Sequence, residues 1–134
     1  MNYKIYPLHT LGSYQFVIIL SLYQGKLLLS RHKQRTSWEA QGGHIEKGET
    51  PLEAAKRELY EESGAVDYQI VPAFDYCVED DASEASGMVF LAEINALDAL
   101  PESEMKEVAC FEQLPKELTY PDITPVLFAH AGRR

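Results

Sequence analysis

Gly43-His-Ile-Glu-Lys-Gly-Glu49-Thr50-Pro-Leu-Glu53-Ala-Ala-Lys-Arg57-Glu58-Leu-Tyr-Glu61-Glu62-Ser-Gly64-Ala65 carries helix signals at both ends and a concentration of acids between them. Thr50 is a good N-cap, Pro51 suits the first helical position, and Glu53 stands three residues after the cap to complete a capping box. Leu52, Ala55 and Leu59 recur at helical spacing, and Gly64 falls where a C-terminal cap belongs. These signals predict a helix from Pro51 to Ser63. On that helix Glu58, Glu61 and Glu62, at i, i+3 and i+4, project their carboxylates from one face. Like charges at this spacing repel and weaken the helix unless a cation lies between them. Hard oxygen ligands point to magnesium or manganese, whose shells are commonly completed by water and substrate phosphate. Acidic residues on a helix are ordinarily a solvated face; the residues around these three set them apart.

Upstream, Tyr14 to Tyr23 is β-branched and aromatic, closes on Gln24-Gly25, and resumes with three leucines in Lys26 to Ser30, which reads as a β-hairpin. Both arms are almost wholly apolar, the pattern of strands covered on both faces. Arg31 to Ser37 is polar and basic and reads as a loop leading to Trp38 and the pair Gly42-Gly43, where a turn or a tight backbone approach is expected. Downstream, Tyr68 to Val78, Met88 to Ile94 and Glu107 to Phe111 read as strands, divided by an acidic loop from Glu79 to Gly87 and a loop around Pro101. Thr124 to His130 reads as a closing helix with Thr124 as N-cap. No repeat or linker divides the chain, so one α+β layered domain over residues 1–134 is expected.

The chain has 134 residues, 12 basic against 21 acidic, a formal net charge of −9. That average field disfavours a polyanionic partner such as a nucleic-acid polymer, although carboxylates holding a divalent cation invert the local sign and admit a single nucleotide. Cys77 and Cys110 lie in apolar stretches without a partner at metal-ligand spacing and read as buried free thiols. No secretory signal or membrane-length apolar run is present, which points to the cytoplasm. His9, His32, His44 and His130 are scattered, and neither a Walker sequence nor a dinucleotide-binding glycine pattern occurs.

From Gly43 to Ala65 the chain resembles the Nudix box: a glycine, five residues, a glutamate, seven residues, then Arg-Glu-aliphatic-any-Glu-Glu-any-Gly-aliphatic. Eight specified positions match, which a given window would do by chance on the order of once in 10⁹ at ordinary residue frequencies. Ala65 is a small residue for the final aliphatic position, and Gln41 stands where many members have a proline. The resemblance implies a Nudix-type α/β/α sandwich, with a mixed sheet and a catalytic loop-helix-loop. It implies metal binding by Glu58, Glu61 and Glu62, with the main-chain carbonyl of Gly43 as a further ligand. Arg57 would hold a glutamate by paired hydrogen bonds, Glu49 being its expected partner, although Glu49 also suits a helix N-terminus as a plain dipole complement. Gly64 ends the helix.

The implied reaction is hydrolysis by water of a phosphoanhydride in a nucleoside diphosphate joined to another group, with Mg²⁺ or Mn²⁺ as cofactor. The catalytic set expected is Glu61, Arg57 and a base, either Glu61 itself or a residue of the later loop carrying Glu102, Glu104 and Glu107, of which Glu104 is chosen. Arg35 is expected to touch phosphate and Trp38 to stack on a base, Trp38 having partial burial in the core as its alternative; Tyr76 and Phe90 are candidates for the same pocket. Small size favours a nucleoside triphosphate pyrophosphatase similar to the 8-oxo-dGTP hydrolases. Nucleotide sugars, ADP-ribose and dinucleoside polyphosphates are alternative substrates, and a non-catalytic nucleotide-binding module is the rival from another class. A hydrolase acting on RNA 5′ ends is disfavoured by the net charge. The apolar N-terminal hairpin suits a homodimer.

Overall fold

The structure, a computed structural model, describes residues 2–133. Its strands are β1 (Asn2–Pro7), β2 (Phe16–Tyr23), β3 (Lys26–His32), β4 (Trp38–Glu39), β5 (Gln41–His44), β6 (Ala65–Glu79), β7 (Glu84–Leu97) and β8 (Met105–Phe111); its helices are α1 (Pro51–Ser63) and α2 (Thr124–His130). The main sheet runs β1-β6-β7-β2-β3-β4, with β5 added to β2 and β8 to β3. It is mixed, because β2 and β7 run parallel while the other pairs are antiparallel.

Both faces are covered, which explains the unbroken apolar runs of the central strands. Val17 and Ile19 of β2, Leu28 of β3, and Met88, Phe90, Ala92 and Ile94 of β7 pack beneath Ala54, Ala55 and Leu59 of α1. The alternate residues Leu20, Leu27, Leu29 and Val89 pack on the opposite face with Ile123, Leu127 and Phe128, at the start and within α2. This period of two places one helix on each side of the sheet.

The hairpin of β2 and β3 is paired only near its turn, over Ser21–Tyr23 and Lys26–Leu28. Beyond that the arms diverge, and the chain re-enters between them: β4 pairs with β3, and β5 pairs with the first half of β2. Gln41 fills the fork. Its buried amide accepts from the Ser21 hydroxyl at 2.8 Å and donates to the Leu28 carbonyl at 3.1 Å and the Ser30 hydroxyl at 2.9 Å. Ser30 in turn donates to the Glu62 carbonyl at 2.8 Å. A proline here would lack these side-chain bonds, so the glutamine ties the sheet to the end of α1.

Several expectations are corrected. Gly42-Gly43 is not a turn but part of β5; the anticipated close approach is real, since a Cβ at Gly42 would collide with the Val17 carbonyl oxygen. The acidic stretch from Glu79 to Gly87 is not one long loop, because β6 and β7 continue through it to a tight turn in which the Asp80 carboxylate accepts from the backbone N–H groups of Ala82 and Ser83. Thr124 begins α2 but does not cap it. The N-cap is Ile123, no side chain bonds there, and the Thr124 N–H is taken by the Tyr120 carbonyl of the preceding turn. Cys77 is buried as expected, but Cys110 is exposed because it lies on the outward side of the edge strand β8.

Candidate active site

The helix α1 begins and ends as its sequence requires. Thr50 accepts from the Glu53 N–H while the Glu53 carboxylate accepts from the Thr50 N–H, completing the capping box. Gly64 closes the helix at φ 81°, donating to the Tyr60 carbonyl at 2.8 Å; a Cβ there would lie 2.5 Å from the Asp98 carbonyl oxygen. Before the helix, the Glu49 N–H donates to the Glu46 carbonyl across a turn whose third residue, Gly48, has φ 87°.

Arg57 organises the acids. Its Nε and Nη2 donate in parallel to the two oxygens of Glu49, at 2.7 and 3.0 Å. Nη1 reaches Glu58 Oε1 at 2.7 Å and Glu61 Oε1 at 3.1 Å, and Nη2 also donates to the His44 carbonyl at 3.1 Å. Hydrogen bonds from Arg57, then one from the Glu46 backbone, hold the Glu49 carboxyl down at about 2. The arginine is correspondingly raised, first by its bond to Glu49. A lysine, with one nitrogen in place of the planar fork, could not serve all these acceptors at once.

Two of the three helix carboxylates are turned inward. Glu58 is largely covered and abuts Gly43, where a Cβ would stand 2.7 Å from its carboxylate; burial raises its pKa against the pull of Arg57. Glu62 accepts from the Gly42 N–H at 2.8 Å. Burial pushes its pKa up to about 8 despite that bond, and the charges of Glu58, Glu39 and Glu104 add to the rise. Glu61 is the outermost, with 40% of its side chain exposed. Inward carboxylates short of compensating charge, with a glycine backbone beside them, form a donor set suited to a hard divalent cation.

Next to this cluster is a cleft of about 450 Å³ whose wall includes Gly42, Gly43 and His44 of β5, Tyr3, Phe16, Tyr76, Tyr120 and Glu39. Phe16 and Tyr76 meet edge to face at 5.2 Å. Strand β5 is common to both features, since Gly43 lines the cleft and also faces Glu58.

The remaining expected residues divide. Tyr76 lines the cleft, whereas Phe90 is buried in the core under α1. Trp38 is outside the cleft wall and partly buried, its ring edge to face with Phe111 at 5.1 Å and the Arg31 guanidinium 5.9 Å from its centre. Its alternation on β4 turns it from the cleft. Arg35 does not line the cleft either; it pairs with Glu39 at 3.2 Å, and Glu39 does. Arg31 and Lys33 are likewise paired, with Glu107 and Glu102. Glu104 is left with His32, 3.6 Å away, and its side chain is 84% exposed. Sequence reasoning missed Tyr3, Phe16, Glu39 and Tyr120. Only a knowledge of which strands adjoin brings them together, although the alternation of β2 would have put Phe16 opposite Val17.

The NUDIX domain family model matches residues 14–127, and the chain belongs to that family. Among curated relatives, the RNA pyrophosphohydrolase of Francisella philomiragia is 47% identical over 47 residues, 35% of this chain and 30% of that protein. The RNA pyrophosphohydrolase of a Psychrobacter species is also 47% identical over 47 residues, there 27% of its length. The match thus spans less than a third of either relative. Among solved structures, a pyrophosphohydrolase of Bacillus subtilis superposes with a TM-score of 0.82 at 23% identity, covering 96% of this chain and 87% of that one. The NUDIX domain of Shewanella oneidensis NrtR, complexed with ADP ribose, gives 0.68 at 15% identity, covering 91% and 90%. These likenesses establish the fold. No helix among the described residues is long and apolar enough to cross a membrane.

Proposed function

We propose that this chain is a divalent-metal-dependent pyrophosphohydrolase of nucleotides, specifically a nucleoside triphosphate pyrophosphatase of the housecleaning type, working as a single domain. The observation that carries the reading is the sharing of β5: the glycine that faces Glu58 also lines an aromatic cleft, so a base in the cleft puts its phosphates beside the acidic cluster. Glu58, Glu61 and Glu62, with the Gly43 carbonyl, would hold Mg²⁺ or Mn²⁺. Bound there, the metal supplies neutralising charge for phosphoryl oxygens and acidifies water.

The residues of the chain do the rest. Tyr76, Phe16 and Tyr120 offer aromatic surface to a base. Arg57 keeps Glu58 and Glu61 oriented through its anchor on Glu49. Water attacks a phosphorus of the anhydride and loses its proton to a carboxylate, while the bond from that phosphorus to the bridging oxygen breaks and the nucleoside monophosphate and pyrophosphate separate. Glu104 suits that task, because Lys33 and Arg31 occupy Glu102 and Glu107 while Glu104 remains exposed with His32 as its one ion-pair partner among the described residues, and its charge is felt at Glu62. Glu61 is the alternative base within the helix.

The test is release of phosphate and pyrophosphate from a nucleotide panel with Mg²⁺ or Mn²⁺, comparing the native chain with Glu61→Gln and Glu104→Ala. Collapse of metal-dependent turnover in Glu61→Gln supports the enzyme. Unchanged turnover in Glu104→Ala moves the base to Glu61. Absence of turnover on every compound, with nucleotide binding retained, favours a binding module instead. A second reading, removal of pyrophosphate from RNA 5′ ends, is favoured by the names of the curated relatives. The net charge of −9 and the pairing of Arg31, Lys33 and Arg35 with carboxylates weigh against a long RNA tract. A triphosphorylated RNA oligonucleotide belongs in the same panel.

A further inference from the structure

The cleft beside the acidic cluster is aromatic and aliphatic almost throughout, and among the described residues Glu39 is the one carboxylate in its wall. Its side chain is only 12% exposed, so its charge is set in a mostly covered site. It is held firmly from one side. Arg35 Nη1 donates to Oε1 at 3.2 Å and the Thr119 hydroxyl donates to the same oxygen at 3.1 Å. Thr119 is itself positioned by the Ser37 hydroxyl at 2.8 Å, and its N–H donates to the Trp38 carbonyl at 2.9 Å. Among the described residues, both hydrogen bonds accepted by the Glu39 side chain therefore fall on Oε1, which leaves Oε2 to a ligand. Tyr120, another cleft residue, also lies beside Arg35, so the arginine braces two parts of the same wall.

A carboxylate only accepts hydrogen bonds. It favours a base edge made of adjacent N–H donors and disfavours one that turns a lone pair toward it. Of the common bases, guanine alone presents two neighbouring donors, N1–H and the N2 amino group, on its Watson–Crick edge. Adenine and cytosine place a ring-nitrogen lone pair beside their amino group, and uracil and thymine flank a single N–H with two carbonyl oxygens. We propose that Glu39 makes this cleft selective for guanine nucleotides, by accepting from N1–H and the N2 amino group while the ring lies among Phe16, Tyr76 and Tyr120. This rests on the nucleotide-hydrolase reading for its biological sense, but selection of the base does not depend on turnover.

The test therefore begins with equilibrium binding of GMP, IMP and AMP to the metal-free chain, native and Glu39→Gln. IMP is guanine's analogue without the N2 amino group, so the native protein alone reports whether that donor is read. The expected result is GMP binding about 10–100-fold tighter than AMP, the range for a charge-assisted hydrogen bond in a covered site, with IMP between them. In Glu39→Gln, which keeps the shape and removes the charge, the ratio of GMP to AMP affinity should fall to about unity, with a thermal melt confirming that the variant is folded. Equal affinity of the native chain for all three, failure to bind any of them, or an unchanged ratio in Glu39→Gln overturns the inference. Selective binding of GMP together with no metal-dependent turnover of GTP leaves guanine selection standing and removes the hydrolase reading.

Discussion

The acidic helix and the aromatic cleft adjoin at Gly43, yet they are built in opposite ways. Among the described residues, the carboxylates paired with Arg57 come from a run of seventeen residues or so, Glu46 to Glu62, and their mutual geometry follows from one turn, one capping box and the helical period. The cleft draws Tyr3 from β1, Phe16 from β2, Glu39 from β4, Tyr76 from β6 and Tyr120 from the segment before α2. A local code thus positions the acids around Arg57, and a non-local one shapes the cleft beside them. Divergence of substrate at constant chemistry is the natural consequence, because strand positions lining the cleft are free to change without disturbing the helix.

The widest separation between the two regions should appear in turnover. Glu61→Gln is expected to lower kcat by about 10³-fold with little change in Tm, since the residue is partly exposed and makes one hydrogen bond to Arg57. A loss in nucleotide affinity of the same size would break the division into chemistry and recognition. Arg57→Lys should cost about 10–100-fold in activity or in the Mg²⁺ concentration needed for half-maximal rate. Alanine at the same position should do no less, and rescue by lysine to the native level would mean that charge matters there and the fork does not.

In the cleft, Tyr120→Ala should act on recognition alone. The residue is 51% exposed, so stability is expected to hold within about 0.5 kcal/mol. KM should rise about tenfold with kcat unchanged, as expected for a lost stacking surface. A fall in kcat instead would show that the wall reaches the reacting phosphate. The smallest effect on the chemistry is expected from Gly64→Ala, which forces a Cβ into a left-handed backbone and against the Asp98 carbonyl oxygen. It should lower stability by about 1–3 kcal/mol in chemical denaturation while leaving kcat per folded molecule close to native.

The same division explains what could be read from the chain. The bounds of α1, its two caps and the shared face of Glu58, Glu61 and Glu62 were legible because each depends on residues within a turn or two of one another. The hairpin of β2 and β3 was legible for the same reason, but β4 and β5 were not: β4 is only two residues long, the glycines of β5 carry no strand propensity, and only the fork opened by the diverging arms gives them partners. β1 was missed because its pairing is with β6, far along the chain. Arg35 and Trp38 were expected at the substrate on their nearness in sequence to Gly42. Neither lines the cleft: alternation on β4 turns Trp38 away, Arg35 lies in the loop before it and pairs with Glu39, and Glu39, next after Trp38, is in the wall.

The parallel pairing of β2 with β7, from Phe16 opposite Gly87 to Tyr23 opposite Ile94, joins segments about half the chain apart. Closing so long a loop is slow relative to winding a capped helix, which takes on the order of microseconds or less. During refolding α1 should therefore gain helical signal early, while Glu58 and Glu62 remain in water with no β5 backbone beside them. Cation affinity and nucleotide affinity should then emerge in the same late kinetic phase, when β2 locks against β7 and carries β5 into place.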